Sequence, residues 1–232
     1  MKNLLLVLTL SVSGLAGQQP APISADEVTL RHKIFEDSRV NVFLLDIPPG
    51  QATALHRHDH DMLSVFVSGG RTRASFNGAA PVEDSFTPGD VRFRSAGFTH
   101  STENIGTGHF LSVIFEFAGP QGPRAPATGP ATHVCNPDDP TACVDEKPLF
   151  CTSGFCVDDL TMAPHAVRPA SGARPDQILV AVSDFTLSEE VPGNGMVIHK
   201  RPSGQIQPVA AGPGVRWANA GGPAHLVVLT FR

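Results

Sequence analysis

Tyrosine is absent from the 232 residues of the chain, and tryptophan occurs once, as Trp217. Composition alone therefore excludes a catalytic tyrosine. Positive charge is also scarce, since 17 lysines and arginines stand against 22 aspartates and glutamates, and neither sign forms a long run. Nucleic-acid binding requires a broad positive surface, so we expect no nucleic-acid partner. Beyond the N-terminal segment, no stretch has the periodicity of an amphipathic helix longer than about two turns.

The N-terminal residues have the pattern of a secretory signal peptide. Lys2 precedes an apolar run from Leu4 to Leu10, and the small residues Gly14 and Ala16 follow. The apolar run is shorter than the roughly 20 residues that span a bilayer, and no cysteine follows for lipid attachment. We therefore expect removal of residues 1–16, a secreted or periplasmic mature protein, and no membrane partner.

The four cysteines lie close together, between residues 135 and 156. An even, clustered set in an exported chain predicts two disulfides. Among the three pairings we expect Cys135 with Cys143 and Cys151 with Cys156. A zinc site made of all four thiolates is the alternative, but the gaps between these cysteines lack zinc-knuckle spacing.

The chain contains an internal repeat at an offset of 115 residues, in which residues 34–117 align with 149–232 without a gap. This repeat predicts one fold built twice. The identities fall mainly on apolar residues and glycines, and they include Phe35/Phe150, Leu45/Leu160, Asp61/Asp176, Val65/Val180, Gly89/Gly204, Asn104/Asn219 and Leu111/Leu226.

Each copy is rich in short β-branched and aromatic runs bounded by Gly, Pro, Asn or Asp. The first copy has "LSVFVSG", "VRFRS" and "FLSVIFEF", and the second has "ILVAVSDFTL" and "HLVVLTFR". Many short strands with turn residues between them predict an all-β sandwich or barrel. Residues 118–148, between the copies, are dense in Pro, Gly and Ala, a composition typical of a linker.

Two blocks of the first copy combine glycines and histidines, "GQATALHRHDHDMLSVFVSG" from Gly50 and "GDVRFRSAGFTHSTEN" from Gly89. They resemble the two motifs of the cupin family: Gly, His-x-His, a carboxylate and Gly, then Gly, Pro-x-Gly, His and Asn. The resemblance covers residues 34–117, and the second copy matches the motifs more weakly. It implies two tandem cupin-type jelly-roll β-barrels: a metal-binding domain at 26–117, a disulfide-containing linker at 118–148 and a degenerate domain at 149–232.

The resemblance implies His56, His58 and His100 as ligands of one divalent transition metal. Residues two apart on a strand project to one face, and a neighbouring strand can bring in the third histidine. Neutral imidazole suits Fe, Cu, Ni or Zn. This sequence departs from the motifs at Met62, in place of the family's glutamate, and at Ser95, in place of its proline. Without the hard carboxylate ligand, Mn is less favoured.

The turn after His58 leaves the completion of the site open. The alternatives are three histidines alone, a fourth ligand from His60 or Asp59, the thioether of Met62, or no metal. His60 is also the candidate catalytic residue, because imidazole transfers protons near neutral pH, although a solvated turn residue is the alternative. Asp59 and Asp61 are either turn-forming residues or acceptors that orient the imidazoles.

The second copy lacks the three histidines, since Ser171, Ala173 and Val215 stand at their positions. We therefore expect a metal-free, structural second domain that packs against the first sheet or shields its edges. We interpret the other histidines of this copy as surface residues, namely His165, His199 and His225.

Four arginines alternate along two strands of the first copy, so the members of each pair share a face: Arg71 with Arg73, and Arg92 with Arg94. They predict a solvated or inter-domain surface, and the alternative is a clamp for an anionic substrate inside the barrel.

Three classes of function remain open. The first is an enzyme whose open metal centre acts on a small organic molecule. Family members without the carboxylate include dioxygenases, so the resemblance implies oxidoreductase chemistry. The second is a protein that binds a metal, a sugar or another small molecule without turnover, and the third is a structural secreted protein. The chain is either a monomer whose two copies pair or a homodimer.

Overall fold

The computed structural model describes residues 21–77, 79–170, 172–191 and 195–232. The predicted signal peptide, residues 1–16, lies outside the described residues. Within these ranges the chain is mostly β-strand, and its one helical element is a 3-10 turn at Ala25–Glu27. None of its described helical segments is long and apolar enough to cross a membrane. The prediction of an all-β fold is confirmed.

The first barrel consists of two five-stranded sheets that face each other. Its strands are β1 (Ile23–Ser24), β2 (Arg31–Glu36), β3 (Val40–Ile47), β4 (His56–His58), β5 (Met62–Phe66), β6 (Gly70–Phe76), β7 (Val82–Phe86), β8 (Val91–Arg94), β9 (Phe98–Asn104) and β10 (Phe110–Phe117). One sheet has the order β1-β4-β9-β6-β7 and the other the order β2-β3-β10-β5-β8.

The second barrel repeats this arrangement. Its strands are β11 (Ala125–Pro126), β12 (Thr132–Asn136), β13 (Asp139–Cys151), β14 (Phe155–Met162), β15 (Val167–Arg168), β16 (Ala173–Arg174), β17 (Gln177–Ala181), β18 (Phe185–Val191), β19 (Gly195–Arg201), β20 (Ile206–Val209), β21 (Gly212–Pro213), β22 (Arg216–Asn219) and β23 (Ala224–Phe231). The largest sheet has the order β11-β13-β14-β23-β17-β20, with β12 paired to β13.

The alternation of side chains along each strand separates the barrel interior from a core between the barrels. In β3, Phe43 and Leu45 face the interior of the first barrel. Val42, between them, joins a second core that also contains Phe115 of β10 and Leu229 of β23. The two copies therefore pack sheet against sheet through the faces that point out of each barrel.

Two glycines of the repeat lie where the barrels approach each other most closely. A Cβ atom on Gly89 would collide with the ring of His225, and one on Gly204 would touch Leu44 at 3.4 Å. Both glycines also have positive φ angles, of 91° and 83°. The backbone conformation therefore favours glycine at both positions, and the inter-barrel contact excludes a side chain at Gly89 as well.

Residues 118–148 differ from the expected linker, because β12 and most of β13 lie within them. β12 pairs with β13, which continues into the second barrel by pairing with β14. Pro148 lies next to a register shift of β13, a place where a strand tolerates a residue without an N–H. Both predicted disulfides are confirmed: Cys135–Cys143 links β12 to β13, and Cys151–Cys156 links β13 to β14.

The structure corrects the register of the repeat at its last strand. Ser112 of β10 pairs with Leu45, whereas Leu226 of β23 pairs with Leu160. Because Leu45 and Leu160 are equivalent, Leu226 corresponds to Ser112 and not to Leu111. The loop before β23 is one residue shorter than the loop before β10. The ungapped alignment missed this deletion because apolar strands match almost as well when they are shifted by one residue.

Candidate metal centre

Three histidine side chains meet inside the first barrel. His56 and His58 alternate with the exposed Arg57 along β4, and both are buried. β9 runs antiparallel to β4 and places the half-buried His100 directly opposite His56. Adjacent strands of one sheet thus bring together the residues that were predicted as ligands.

The Nε2 atoms of the three rings converge on one point. His58 Nε2 lies 3.0 Å from His56 Nε2 and 3.2 Å from His100 Nε2. Two nitrogens each about 2.1 Å from one metal, at an angle of about 90–110°, stand roughly 3.0–3.4 Å apart. The spacing of the rings therefore fits three ligands of one metal ion.

Hydrogen bonds on the outer side of two rings fix the position of the ring proton. His56 Nδ1 donates to the carbonyl oxygen of Ala54 at 2.8 Å, and His58 Nδ1 donates to Glu116 Oε1 at 2.9 Å. A neutral imidazole has one N–H, so both Nε2 atoms carry lone pairs that face each other. Such a contact is repulsive unless a cation lies between the nitrogens, and this donor set therefore fits a metal.

The surroundings keep two of the histidines neutral. Burial lowers the pKa of His56 to about 4. Burial also lowers the pKa of His100 to about 2, and the neighbouring His56 adds to the effect. The unprotonated imidazole is the form that binds metals, so both rings are in that form at neutral pH.

Glu116 and Arg31 support His58 from the side away from the other rings, and sequence reasoning missed both. Glu116 Oε1 also accepts a hydrogen bond of 2.9 Å from Arg31 Nη2. Burial alone raises the pKa of Glu116, but the hydrogen bond from His58 and the charge of Arg31 outweigh it and lower this pKa to about 2. The available signal was a single glutamate in the apolar strand "FLSVIFEF", because a buried charge needs a partner.

Met62 is buried and lines the cavity beside the histidines. Glu116 lies directly opposite Met62 on the neighbouring strand. A carboxylate is therefore close to position 62, where the family motif has its glutamate. It belongs to Glu116, and it contacts Nδ1 of His58, the ring nitrogen that points away from the other histidines.

The residues of the turn between β4 and β5 do not contact the three histidines. His60 is exposed and does not line the cavity. Asp59 forms an exposed ion pair with Arg57. Asp61 is buried and accepts a hydrogen bond of 2.8 Å from the backbone N–H of Ala96. These contacts agree with the interpretation of Asp59 and Asp61 as turn residues.

The three histidines line a cavity of about 70 Å³. Arg92 and Arg94 on β8 point into it. Arg71 and Arg73 lie on the outer face of β6, where both pair with Glu83. The four arginines therefore divide between the two alternatives: one pair is solvated, and the other is inside the barrel.

The second barrel has apolar residues at two of the equivalent positions, beside a cavity of about 70 Å³. Val215 replaces His100, and Trp217 replaces Thr102, and both belong to a buried apolar core. The interpretation of the remaining histidines as surface residues holds only for the exposed His165. His199 and His225 are half-buried, and the Nε2 atom of each lies within hydrogen-bond distance, 2.6 Å, of a carboxylate oxygen, that of Glu189 and that of Asp159 respectively.

No protein-family model matches the chain, and no curated protein matches it at a significant level. Solved structures do match. AerE from Microcystis aeruginosa is 11% identical with a TM-score of 0.57, and the match covers 88% of this chain and 98% of AerE. A cupin 2 conserved barrel domain protein from Leptotrichia buccalis is 13% identical with a TM-score of 0.52, and the match covers 92% of each chain.

Oxalate decarboxylase from Bacillus subtilis, a protein with Mn(II) centres, is 12% identical with a TM-score of 0.56. The match covers 90% of this chain and 76% of that one. At these identities the likeness concerns the fold alone. The described chain therefore has the cupin fold, in the form of two tandem jelly-roll β-barrels.

Proposed function

We propose that the first barrel holds one divalent transition metal on His56, His58 and His100 and acts on a small organic molecule. The observation that carries this proposal is the convergence of three Nε2 atoms, two of which present lone pairs to each other at 3.0 Å. A bound metal supplies Lewis-acid or redox chemistry at its open positions. Oxalate decarboxylase, which shares the fold, has Mn(II) centres, but an all-nitrogen donor set favours Fe, Cu, Ni or Zn.

Groups outside the ligand set hold the histidines in place. The carboxylate of Glu116 accepts a hydrogen bond from Nδ1–H of His58, and the backbone carbonyl oxygen of Ala54 accepts one from Nδ1–H of His56. Phe98 stacks on His58 with a centroid separation of 4.7 Å, which limits rotation of the imidazole. Such support from outside the ligand set raises metal affinity. The reaction class that we favour is an oxidoreductase of the dioxygenase type.

A non-catalytic protein that binds a metal, a sugar or another small molecule is the second candidate. One observation favours it: among the described residues, the acids near the cavity are already paired. Glu116 bonds to Arg31 and His58, and Asp84 accepts from Arg92. His60, the predicted proton shuttle, faces solvent. Turnover that requires a protein base would therefore need a residue other than these.

Metal analysis of the purified protein tests the proposal. We expect about one equivalent of Fe, Cu, Ni or Zn in the wild type, the loss of this metal in His56→Ala/His100→Ala, and its retention in the matched control His60→Ala. Oxygen-consumption and substrate screens with the metal-loaded protein then separate turnover from binding. A folded wild type that neither contains nor binds metal contradicts both the metal site and the oxidoreductase.

We further propose that the mature protein begins after Ala16 and is secreted or periplasmic. The two disulfides support this location, since such bonds persist in oxidising compartments. Mass spectrometry of the intact exported protein should show the loss of residues 1–16, and their retention contradicts the proposal. Pairing of the barrels within one chain supports a monomer, and light scattering distinguishes it from a homodimer.

A further inference from the structure

Among the described residues, one arginine that lines the cavity beside the histidines forms no ion pair. Arg31 pairs with Glu116, and Arg92 donates to Asp84 at 2.9 Å. Arg94 lines the same cavity, but no described residue forms a hydrogen bond or an ion pair with its side chain. A guanidinium has five N–H donors, and those of the half-buried Arg94 are open to water or to a ligand in the cavity.

Arg94 lies beside the aromatic rings that flank the histidines. Its Cζ atom is 5.2 Å from the centre of the Phe76 ring and 5.7 Å from that of Phe98. Phe98 stacks on His58, and the Phe76 ring centre lies 5.7 Å from that of His100. One small ligand can therefore reach both the guanidinium and the imidazoles.

The half-buried position of Arg94 opposes its charge. Burial lowers the pKa of Arg94 from its usual value, and the positive charge of Arg92 adds to this effect. An anion beside the guanidinium would offset both effects, because it supplies acceptors and an opposite charge.

The size and the wall of the cavity limit the ligand. A cavity of about 70 Å³ holds on the order of five to seven non-hydrogen atoms, because one water molecule takes roughly 10–15 Å³ on the same measure. In another part of the wall, Phe66, Phe86 and Phe110 pack on one another, and the rings of Phe66 and Phe86 stack with centroids 3.8 Å apart. Arg92, which is paired with Asp84, lies over the Phe86 ring with its Cζ atom 4.9 Å from the ring centre. The three aromatic rings favour a short apolar group.

We propose that the first barrel binds a small carboxylic acid whose carboxylate contacts Arg94 and whose apolar part lies toward Phe86 and Phe110. This inference deepens the proposed function and rests on it in one respect: a second polar group of the acid faces the three histidines. The carboxylate contact itself depends on Arg94 alone.

Calorimetric titration with lactate and with lactamide, a neutral analogue of the same size, tests the proposal. We expect the wild type to bind lactate about tenfold or more tightly than lactamide, because a hydrogen bond to a charged group contributes roughly 1.5–3 kcal/mol. Arg94→Gln should remove this preference and leave lactamide binding unchanged. The matched control, Arg71→Gln on the outer face of the barrel, should bind both ligands like the wild type.

Other outcomes overturn the inference or separate it from the metal site. It falls if lactate affinity is the same in wild type and Arg94→Gln, or if neither lactate nor butyrate binds the folded, metal-loaded wild type. If Arg94→Gln fails to fold, Arg94→Lys takes its place. The inference then requires that the wild type prefer lactate to lactamide and that Arg94→Lys reduce this preference. In His56→Ala/His100→Ala, Arg94-dependent lactate binding that persists without metal supports the carboxylate site even if the metal proposal fails.

Discussion

The two barrels share one backbone plan, but their interiors differ in kind. The first encloses a cavity lined by three histidines and three arginines. The second has a cavity of the same size at the equivalent place, but Ala173 and Val215 line it where the first has His58 and His100, and it adjoins an apolar core around Trp217. The position of Arg94 is taken by Val209. The jelly roll itself therefore does not specify a metal site. The inward-pointing residues of a few strands determine whether a barrel has such a site.

The comparison also separates residues that serve the fold from residues that serve the site. Asp61 and Asp176 accept hydrogen bonds from the equivalent backbone N–H groups of Ala96 and Ala211, so both copies need them for the turn. Glu116, by contrast, has Thr230 at its position in the second barrel, where no imidazole needs support. Residues that the copies share serve the fold here, and those that differ serve the site.

The largest effect that we expect comes from emptying the core of the second barrel. Trp217→Ala should lower the free energy of unfolding by about 3–5 kcal/mol, because it removes a large side chain that is almost fully buried. Thr102→Ala, the matched change in the first barrel, should cost about 1 kcal/mol or less, because Thr102 is a small and only half-buried side chain. Urea denaturation measures both, and equal losses would contradict the difference between the interiors.

Loss of the ion pair between Arg31 and Glu116, which supports His58, should lower the free energy of unfolding almost as much. Glu116→Leu leaves the buried Arg31 without its carboxylate and should cost about 3 kcal/mol. The double variant Arg31→Met/Glu116→Leu should regain most of this loss, because no unpaired charge remains. Denaturation of the wild type and both variants completes the comparison. A single variant as stable as the double would exclude this explanation.

Metal should stabilise the protein through the first barrel only. At a free concentration of about 100 times Kd, a metal ion should add about 2.7 kcal/mol to the free energy of unfolding, because it binds the folded state. Thermal melting with added Zn²⁺ should show this shift in wild type and His60→Ala. In His56→Ala/His100→Ala the shift should vanish, and a shift that persists would point to a site elsewhere.

The smallest effect concerns a pH dependence of the second barrel. Burial raises the pKa of Asp158 to about 6, and the nearby Glu146 adds to the increase. Between the ordinary carboxyl pKa and this value, the folded state binds more protons than the unfolded state, so stability falls as pH rises. Asp158→Asn should therefore stabilise the protein by about 2 kcal/mol above pH 7.

Below about pH 3 the same change should have little effect, because the carboxyl group is then mostly protonated in both the folded and the unfolded state. Denaturation midpoints at several pH values measure the trend. A benefit of Asp158→Asn that does not depend on pH would contradict it. The first barrel has Phe43 at the equivalent position and should lack this pH dependence.

Local patterns predicted much of the architecture. Alternating apolar runs predicted strands such as β5, β8 and β10, and the two-residue spacing of His56 and His58 predicted that they share a face. Close spacing predicted the pairing of the cysteines. Proline-rich composition was a poorer guide, because it concealed β13, in which Pro148 lies beside a register shift.

The repeat, the strand content, the disulfides and the histidines could be predicted, because each of these depends on residues that are close along the chain or matched between its copies. The folded structure was needed to show that Glu116 and Arg31 support His58, that Arg94 faces the cavity while His60 faces solvent, and that the last strand is shifted by one residue. These features depend on pairing between strands that are far apart in sequence, and the periodicity of a single strand carries no information about its partner.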